Sequence, residues 1–314
     1  MKPEMDSTRI ALDVDEFRDA GVGQMPKIAI LGANGFLGMP IVDAFEGKGW
    51  EVVAFMHSKT DAPSRQEYIT DIFDESSLKL ALFQAKPNLV ISTAWDTEHG
   101  KFWTNESNLA YRDATLKFAE LSFEGGVETF IGLGTMSEYG TSPGFCNAET
   151  SSLIESDIYS SPKIQTGIEL KNVGERYGCR THWARIFQAF GPNEKSERFV
   201  PGLISKLQKG EEFSIKTPNF EMDWIHTEDI ASALAYTIEN SLNHFVDIGT
   251  GIGTTVKGLS ELICNELNLD SSLLDYSGEI PGHEKKVVVD RQTQLLSHGW
   301  RPAESLKKRI RSLG

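Results

Sequence analysis

Tyr159 and Lys163 stand four residues apart in the segment Tyr159-Ser160-Ser161-Pro162-Lys163. At helical spacing a YxxxK pair lies on one face, one turn apart. Pro162 fits there if this is a first helical turn, where its missing N–H costs nothing. A tyrosine ordinarily ionises near pH 10, and bringing it towards 7 takes about 4 kcal/mol at roughly 1.36 kcal/mol per unit. A neighbouring ammonium supplies part of that, and such a phenol can give or take the proton of a carbinol. YxxxK arises often by chance, so a third piece is needed. Leu133-Gly134-Thr135-Met136-Ser137-Glu138-Tyr139-Gly140 follows an apolar run and precedes Tyr159 by about two dozen residues. A hydroxyl at the C-terminal end of a sheet strand can hold a substrate oxygen against the phenol. Thr135 is the first candidate and Ser137 the second. The plain alternative for Thr135 is a strand-end threonine bonded to backbone.

A second constellation lies near the start. Gly32-Ala33-Asn34-Gly35-Phe36-Leu37-Gly38 reads GxxGxxG, directly between the apolar run Lys27-Ile28-Ala29-Ile30-Leu31 and a helix-like stretch from Phe36 to Lys48. Glycine serves where a turn takes unusual dihedrals and where backbone must approach a pyrophosphate. The N–H groups opening the helix then meet the phosphate charge. Strand, glycine turn and helix in that order are the context of a dinucleotide site, with Gly32, Asn34, Gly35, Phe36, Leu37 and Gly38 as contacts; the alternative is a tight packing turn without ligand. A nicotinamide would exchange hydride while Tyr159 handles the proton, and its oxidised charge would join Lys163 in stabilising a phenolate.

An acidic residue ending the second strand would bind the ribose 2′-hydroxyl of NAD. None stands at Phe55, Met56 or His57; instead His57, Ser58 and Lys59 offer an imidazole, a hydroxyl and a cation. The expected cofactor is NADP, with NAD left open, and a solvated loop histidine is the alternative for His57. Asp71-Ile72-Phe73-Asp74 falls where a third strand should end. A carboxylate there can accept from the adenine amino group, and for Asp74 a helix N-cap is an equal reading.

These groups need a frame. Glu51 to Phe55, Asn88 to Ser92 and Thr129 to Leu133 read as buried strands, and Leu78 to Ala85 and Tyr111 to Phe123 as helices. Such alternation means right-handed βαβ units and a parallel sheet. The fold class is α/β: a Rossmann-type, doubly wound parallel sheet with a smaller, discontinuous C-terminal substrate lobe. The boundaries predicted are a flexible extension over 1–25, a cofactor-binding domain over 26–190 plus 223–250, and a lobe over 191–222 and 251–314. In the latter part, Phe199 to Lys209, Thr255 to Leu267 and Ser305 to Ser312 read as helices, and His244 to Ile248 as a strand returning to the main sheet.

The chain has 314 residues, 39% hydrophobic and 24% charged, enough for a large α/β unit and a packed core. Its formal net charge of −14 repels nucleic acid and anionic membranes. No stretch approaches the roughly 18 to 20 apolar residues of a membrane span, and the N-terminus lacks a signal-peptide layout, so a cytoplasmic protein is expected. Cys146, Cys179 and Cys264 have no metal-type spacing and read as reduced thiols, with no metal site.

From Lys27 onward the residues resemble the extended short-chain dehydrogenase/reductase family, and within it the nucleotide-sugar epimerase, dehydratase and ketoreductase branch. The resemblance rests on Gly32 to Gly38, Asp71 to Asp74, Thr135 to Gly140, Tyr159 to Lys163, Arg185 to Pro192 and Asp223 to Asp229. It implies Thr135, Tyr159 and Lys163 as the catalytic set, Thr93-Ala94-Trp95 as the cofactor-lining loop, and Gln188 as a contact to the sugar diphosphate. Asp71 and Ile72 join the cofactor contacts. The arginine that usually opens the "RDFIHVDD" element is Met222 here, so the usual diphosphate clamp is missing at that position; Arg198, Lys206 and Arg291 are the candidate replacements, and Arg198 is counted with Thr135 and Gln188 as substrate-binding. The branch's 4,6-dehydratases carry Asp-Glu after the catalytic Thr, where this chain has Met136-Ser137, and methionine cannot act as an acid. The stretches from Gly134 to Glu149 and from Gly191 to Pro201 are similar to those of 4-ketoreductases of deoxysugar pathways. The resemblance thus implies an NADPH-dependent reductase of a nucleotide-linked 4-keto-6-deoxy sugar, with a 4-epimerase that retains its cofactor as the alternative and a non-catalytic NADP-binding sensor as a third reading. It also leaves a homodimer open.

Overall fold

The computed structural model describes residues 26–58, 65–96, 98, 100–280 and 285–314. The expectations for residues 1–25 and for Lys59 lie outside the described residues. Strand β1 (Lys27–Leu31) leads through the glycine turn into helix α1 (Gly38–Gly47), which starts two residues later than its pattern suggested because Phe36 and Leu37 belong to the turn. There follow β2 (Glu51–Met56), β3 (Gln66–Ile69), α2 (Glu75–Ala85), β4 (Leu89–Ser92), α3 (Ser107–Glu124), β5 (Thr129–Thr135), β6 (Gly144–Cys146), α4 (Ser160–Tyr177), β7 (Arg180–Ile186), β8 (Gln188–Phe190), α5 (Phe199–Gln208), β9 (Phe213–Ser214), β10 (Glu221–His226), α6 (Thr227–Glu239) and β11 (Phe245–Ile248). The chain then forms β12 (Gly253–Thr255), α7 (Val256–Leu267), β13 (Leu274–Asp275), β14 (Lys286–Val289), α8 (Gln294–Ser297) and α9 (Leu306–Arg311).

Seven strands form one parallel sheet in the order β11-β7-β5-β4-β1-β2-β3. From β1 the chain runs outward through β2 and β3, then crosses back to β4. That reversal opens a crevice beyond the carboxyl ends of β1 and β4, the place where open α/β sheets take ligands. The apolar runs are buried on both faces, as a parallel sheet requires. One core holds Ile28, Ile30, Phe45, Ile131, Ala184, Ile230 and Val246; the other holds Ala29, Phe55, Leu78, Val90, Phe118, Phe130 and Trp183.

The smaller sheet, in the order β12-β10-β14-β6 with β8 beside β10, gathers strands from distant stretches. Residues 144–146, 188–190 and 221–226 therefore pair in this second sheet, although the sequence placed nearly all of them with the main one. Residues 223–226 were assigned by domain boundary, and a boundary does not say which sheet a segment joins. The return of β11 to the main sheet, beside β7, follows the sequence reading. Among the described residues no helix is long and apolar enough to cross a membrane.

Candidate active site

The glycine turn closes the end of β1. Gly32 has φ +82°, a left-handed conformation that favours glycine, and its N–H donates to the Phe55 carbonyl at 2.8 Å. Gly35 N–H donates to the Gly32 carbonyl at 2.9 Å. A Cβ on Gly38 would lie 2.0 Å from that same carbonyl oxygen, so α1 begins pressed against the turn. No side chain caps the start of α1. Asn34 is exposed and Gly35, Phe36 and Leu37 partly so. Backbone that no Cβ crowds and an uncapped helix start fit a pyrophosphate. From across the crevice the Thr93 hydroxyl donates to the Leu31 carbonyl at 2.9 Å, and a Cβ on Gly32 would sit 2.4 Å from it. Thr93, Ala94 and Trp95 thus border the turn from β4.

His57 and Ser58 are exposed just past β2. Asp71 is exposed, and its carboxylate accepts from the Phe73 N–H at 2.9 Å, while Ile72 is buried. Asp74 caps α2, accepting from the Ser76 and Ser77 N–H groups; of its two sequence readings, the cap is what the structure has.

Thr135 ends β5 and caps the short 3-10 turn Met136–Tyr139. Its side chain is also near enough to Tyr159 to draw the phenol's pKa down. Tyr159 is half-buried at the head of α4, with Phe102 and Trp103 meeting its ring edge-on at centroid distances of 4.8 and 5.1 Å. Burial pushes the phenol up to about 12, against the Thr135 side chain and the positive charge of Arg198. Lys163 is buried one turn along α4; its Nζ donates to the Leu133 carbonyl at 2.6 Å and lies 3.7 Å from the Trp95 ring centroid. Burial lowers its pKa to about 7, opposed by the charge of Glu138. The three residues meet at one edge of the sheet, but the cation that draws the phenol down is Arg198, whereas Lys163 is turned to backbone and indole.

Two features at this edge were missed in the sequence. Asp157 accepts from the N–H groups of Tyr159 and Ser160, at 3.0 and 2.7 Å, and so anchors the start of α4; an Asp two residues ahead of a helical run was the available signal. Behind Thr135 lies a fully buried polar group. The Glu138 carboxylate accepts from Thr135 N–H at 2.9 Å, Trp183 Nε1–H at 3.0 Å and Arg185 Nε–H at 2.6 Å. Arg185 also donates to the Tyr139 hydroxyl, which donates to Asp247. No local pattern announces contacts between residues so far apart in the chain.

Of the substrate candidates, Arg198 precedes α5 with its guanidinium 5.2 Å from the Phe102 ring, beside Tyr159. Gln188 opens β8, partly buried and in register with Trp224. Met222 is buried in the smaller lobe's core. Lys206 lies 5.9 Å from the Phe213 ring and Arg291 donates to the Gly251 carbonyl. Among the described residues no group of three or more His, Cys, Asp or Glu side chains could hold a metal ion.

The model of the NAD dependent epimerase/dehydratase family matches residues 28–249. Mouse dTDP-D-glucose 4,6-dehydratase is 25% identical over 255 residues, 76% of this chain and 71% of its own. The UDP-glucose 4-epimerase of Rhizobium meliloti is 23% identical over 317 residues, 90% of this chain and 94% of its own. In structure, the chain is similar to the Thermotoga maritima UDP-glucose 4-epimerase solved with UDP-glucose: the TM-score is 0.79 at 22% identity, covering 91% of this chain and 96% of that one. At that identity the likeness shows the fold.

Proposed function

The chain belongs to the NAD dependent epimerase/dehydratase family, and from that premise we propose that it is an NADP(H)-dependent oxidoreductase reducing the keto group of a nucleotide-linked 4-keto-6-deoxy sugar. The observation that carries this reading is the meeting of Thr135 and Tyr159 at the carboxyl edge of β5, with Met136 and Ser137 where a dehydratase needs acids. The Gly32–Gly38 turn and the start of α1 would hold a dinucleotide's pyrophosphate, His57 and Ser58 its adenosine ribose, and Thr93 to Trp95 the side facing β4. A bound nicotinamide supplies the hydride that reaches the ketone carbon. Thr135 holds the ketone oxygen, and Tyr159 delivers its phenolic proton to that oxygen as the alcohol forms. Lys163, anchored on the Leu133 carbonyl, would hold the ribose and stabilise the phenolate left on Tyr159 when its proton departs. The larger sheet would carry the cofactor and the smaller lobe, with Gln188 and Arg198 at its border, the sugar diphosphate.

A phenol pushed up to about 12 is protonated at neutral pH, the form a reductase needs in order to donate. The epimerase reading is kept because a UDP-glucose 4-epimerase aligns over 94% of its own length. NADP is favoured by the absence of a carboxylate at Met56, His57 and Ser58, since an acid there would repel a 2′-phosphate.

The deciding experiment offers NADPH, or NADH, with UDP-, GDP-, CDP- and dTDP-linked 4-keto-6-deoxy sugars. A loss of nicotinamide absorbance equal to the alcohol formed, faster with NADPH, is expected. Sugar conversion without net absorbance change would establish the epimerase. Tight NADP binding with no turnover of any sugar would leave the sensor.

A further inference from the structure

Glu138 belongs to none of the roles given so far, yet it is fully buried and bonded through both carboxylate oxygens. Its neighbourhood is built around the Trp183 indole. A Cβ on Gly132, Gly134 or Gly167 would lie 2.6, 2.5 or 2.6 Å from that ring, so β5 and α4 close on it from two sides. One end of the indole bonds Glu138, and its ring lies 5.5 Å from Lys163 Nζ. A buried ion pair such as Glu138–Arg185 seldom gains net stability over apolar packing, so stability is a weak reason for carrying one here.

We infer that Glu138 is a positioning residue: it fixes the Thr135 backbone and, across the Trp183 indole, supplies the negative charge against which the Lys163 ammonium is seated. This rests on the proposed acid–base pairing of Tyr159 and Lys163. Around Lys163 stand the Leu133 carbonyl and the Trp95 and Trp183 rings, none of them anionic. Glu138 is the carboxylate whose charge opposes the lowering of Lys163 by burial. Arg185 bonds Glu138 from the far side, with Tyr139 and Asp247 beyond it. Arg198 and Asp157 also act on Tyr159. In a low-dielectric interior such a field persists although the guanidinium partly offsets it.

The test follows Lys163 itself, with no substrate. The full chain is labelled with [ε-13C]lysine, and the resonance absent from Lys163→Arg is titrated by NMR. In Glu138→Gln, which keeps an acceptor for the Thr135 N–H, the midpoint falls by about one pH unit. In Arg185→Gln, which leaves the carboxylate uncompensated, it rises. A midpoint unmoved in both, with only the melting temperature lowered, overturns the inference. If Glu138→Gln does not fold, Arg185→Gln decides: a rise supports the inference, and no change or a fall overturns it. Lys163 shifts in a protein that turns over no keto sugar would remove the reductase reading while leaving this one standing.

Discussion

Glu138, behind the edge of the large sheet, and Asp223, in the small one, are both completely buried carboxylates held in opposite ways. Glu138 faces a guanidinium as well as two N–H donors. Asp223 meets neutral donors: the Thr250 N–H and hydroxyl at 2.8 and 2.7 Å, the Gly251 N–H at 2.8 Å and the Val289 N–H at 3.3 Å. Burial raises the Asp223 pKa, and these four bonds pull it back. Its donors come from the loop after β11 and from β14, so one side chain on β10 joins three stretches of chain. Asp223 is a clamp for assembly. Glu138 sits where its charge reaches Lys163 and Tyr159, so its place is tied to the proposed chemistry. The kind of partner, more than the depth of burial, separates the two uses.

The largest effect that tests this division belongs to the chemical edge. Tyr159→Phe should lower kcat by roughly 10²- to 10⁴-fold, with urea unfolding close to wild type; turnover surviving at the wild-type rate would remove Tyr159 as proton donor. Next comes the clamp. Asp223→Ala leaves four donors without their acceptor, and a loss of about 3 kcal/mol in urea unfolding is expected. Activity per folded molecule should be kept at temperatures where the variant remains native. A collapse of kcat in a fully folded Asp223→Ala protein would break the distinction.

A third test uses pH. Burial lifts Asp247 to about 6, against the Tyr139 hydrogen bond and the Arg185 charge. The folded chain therefore holds this proton more tightly than the unfolded chain, whose aspartates titrate near pH 4. The resulting stability is present at the acid end and is lost as pH rises from about 4 to about 6, a change on the order of 2 kcal/mol. Asp247→Asn should flatten that decline, read as the difference in urea midpoint between the two proteins at each pH. An equal slope in both would mean that Asp247 is ionised throughout. The smallest expected effect is Trp95→Leu. Removing the ring beneath Lys163 should cost about 1 kcal/mol, a several-fold fall in kcat/KM; an unchanged value would leave the Leu133 carbonyl as the sufficient anchor.

What the sequence made legible is what lies close together along the chain. The β1 run, the glycine turn and the start of α1 are consecutive, and Tyr159, Pro162 and Lys163 fall within five residues where α4 begins. The parallel sheet follows from such units repeating. Of the small sheet, β6 and β8 were placed with the main one because they are three residues each and their pairing is decided by tertiary contact. The same reason hid Arg185 and Asp247, which meet the Thr135 turn only in the folded chain. Arg198 was one of three candidate cations by sequence, and the fold of the loop before α5 sets it beside Phe102. Asp157 was within reach, because a capping aspartate is a local device.

The register of β6 against β14 also bears on the order of events during synthesis. Gly144 pairs with Val287, a separation of roughly 140 residues that is slow to close. All seven strands of the large sheet are translated by Ile248, so a nascent chain can complete that sheet while Cys146 still awaits its neighbour. Thr135 and Tyr159 thus emerge into an ordered scaffold early, and the lobe proposed to receive the sugar is finished last.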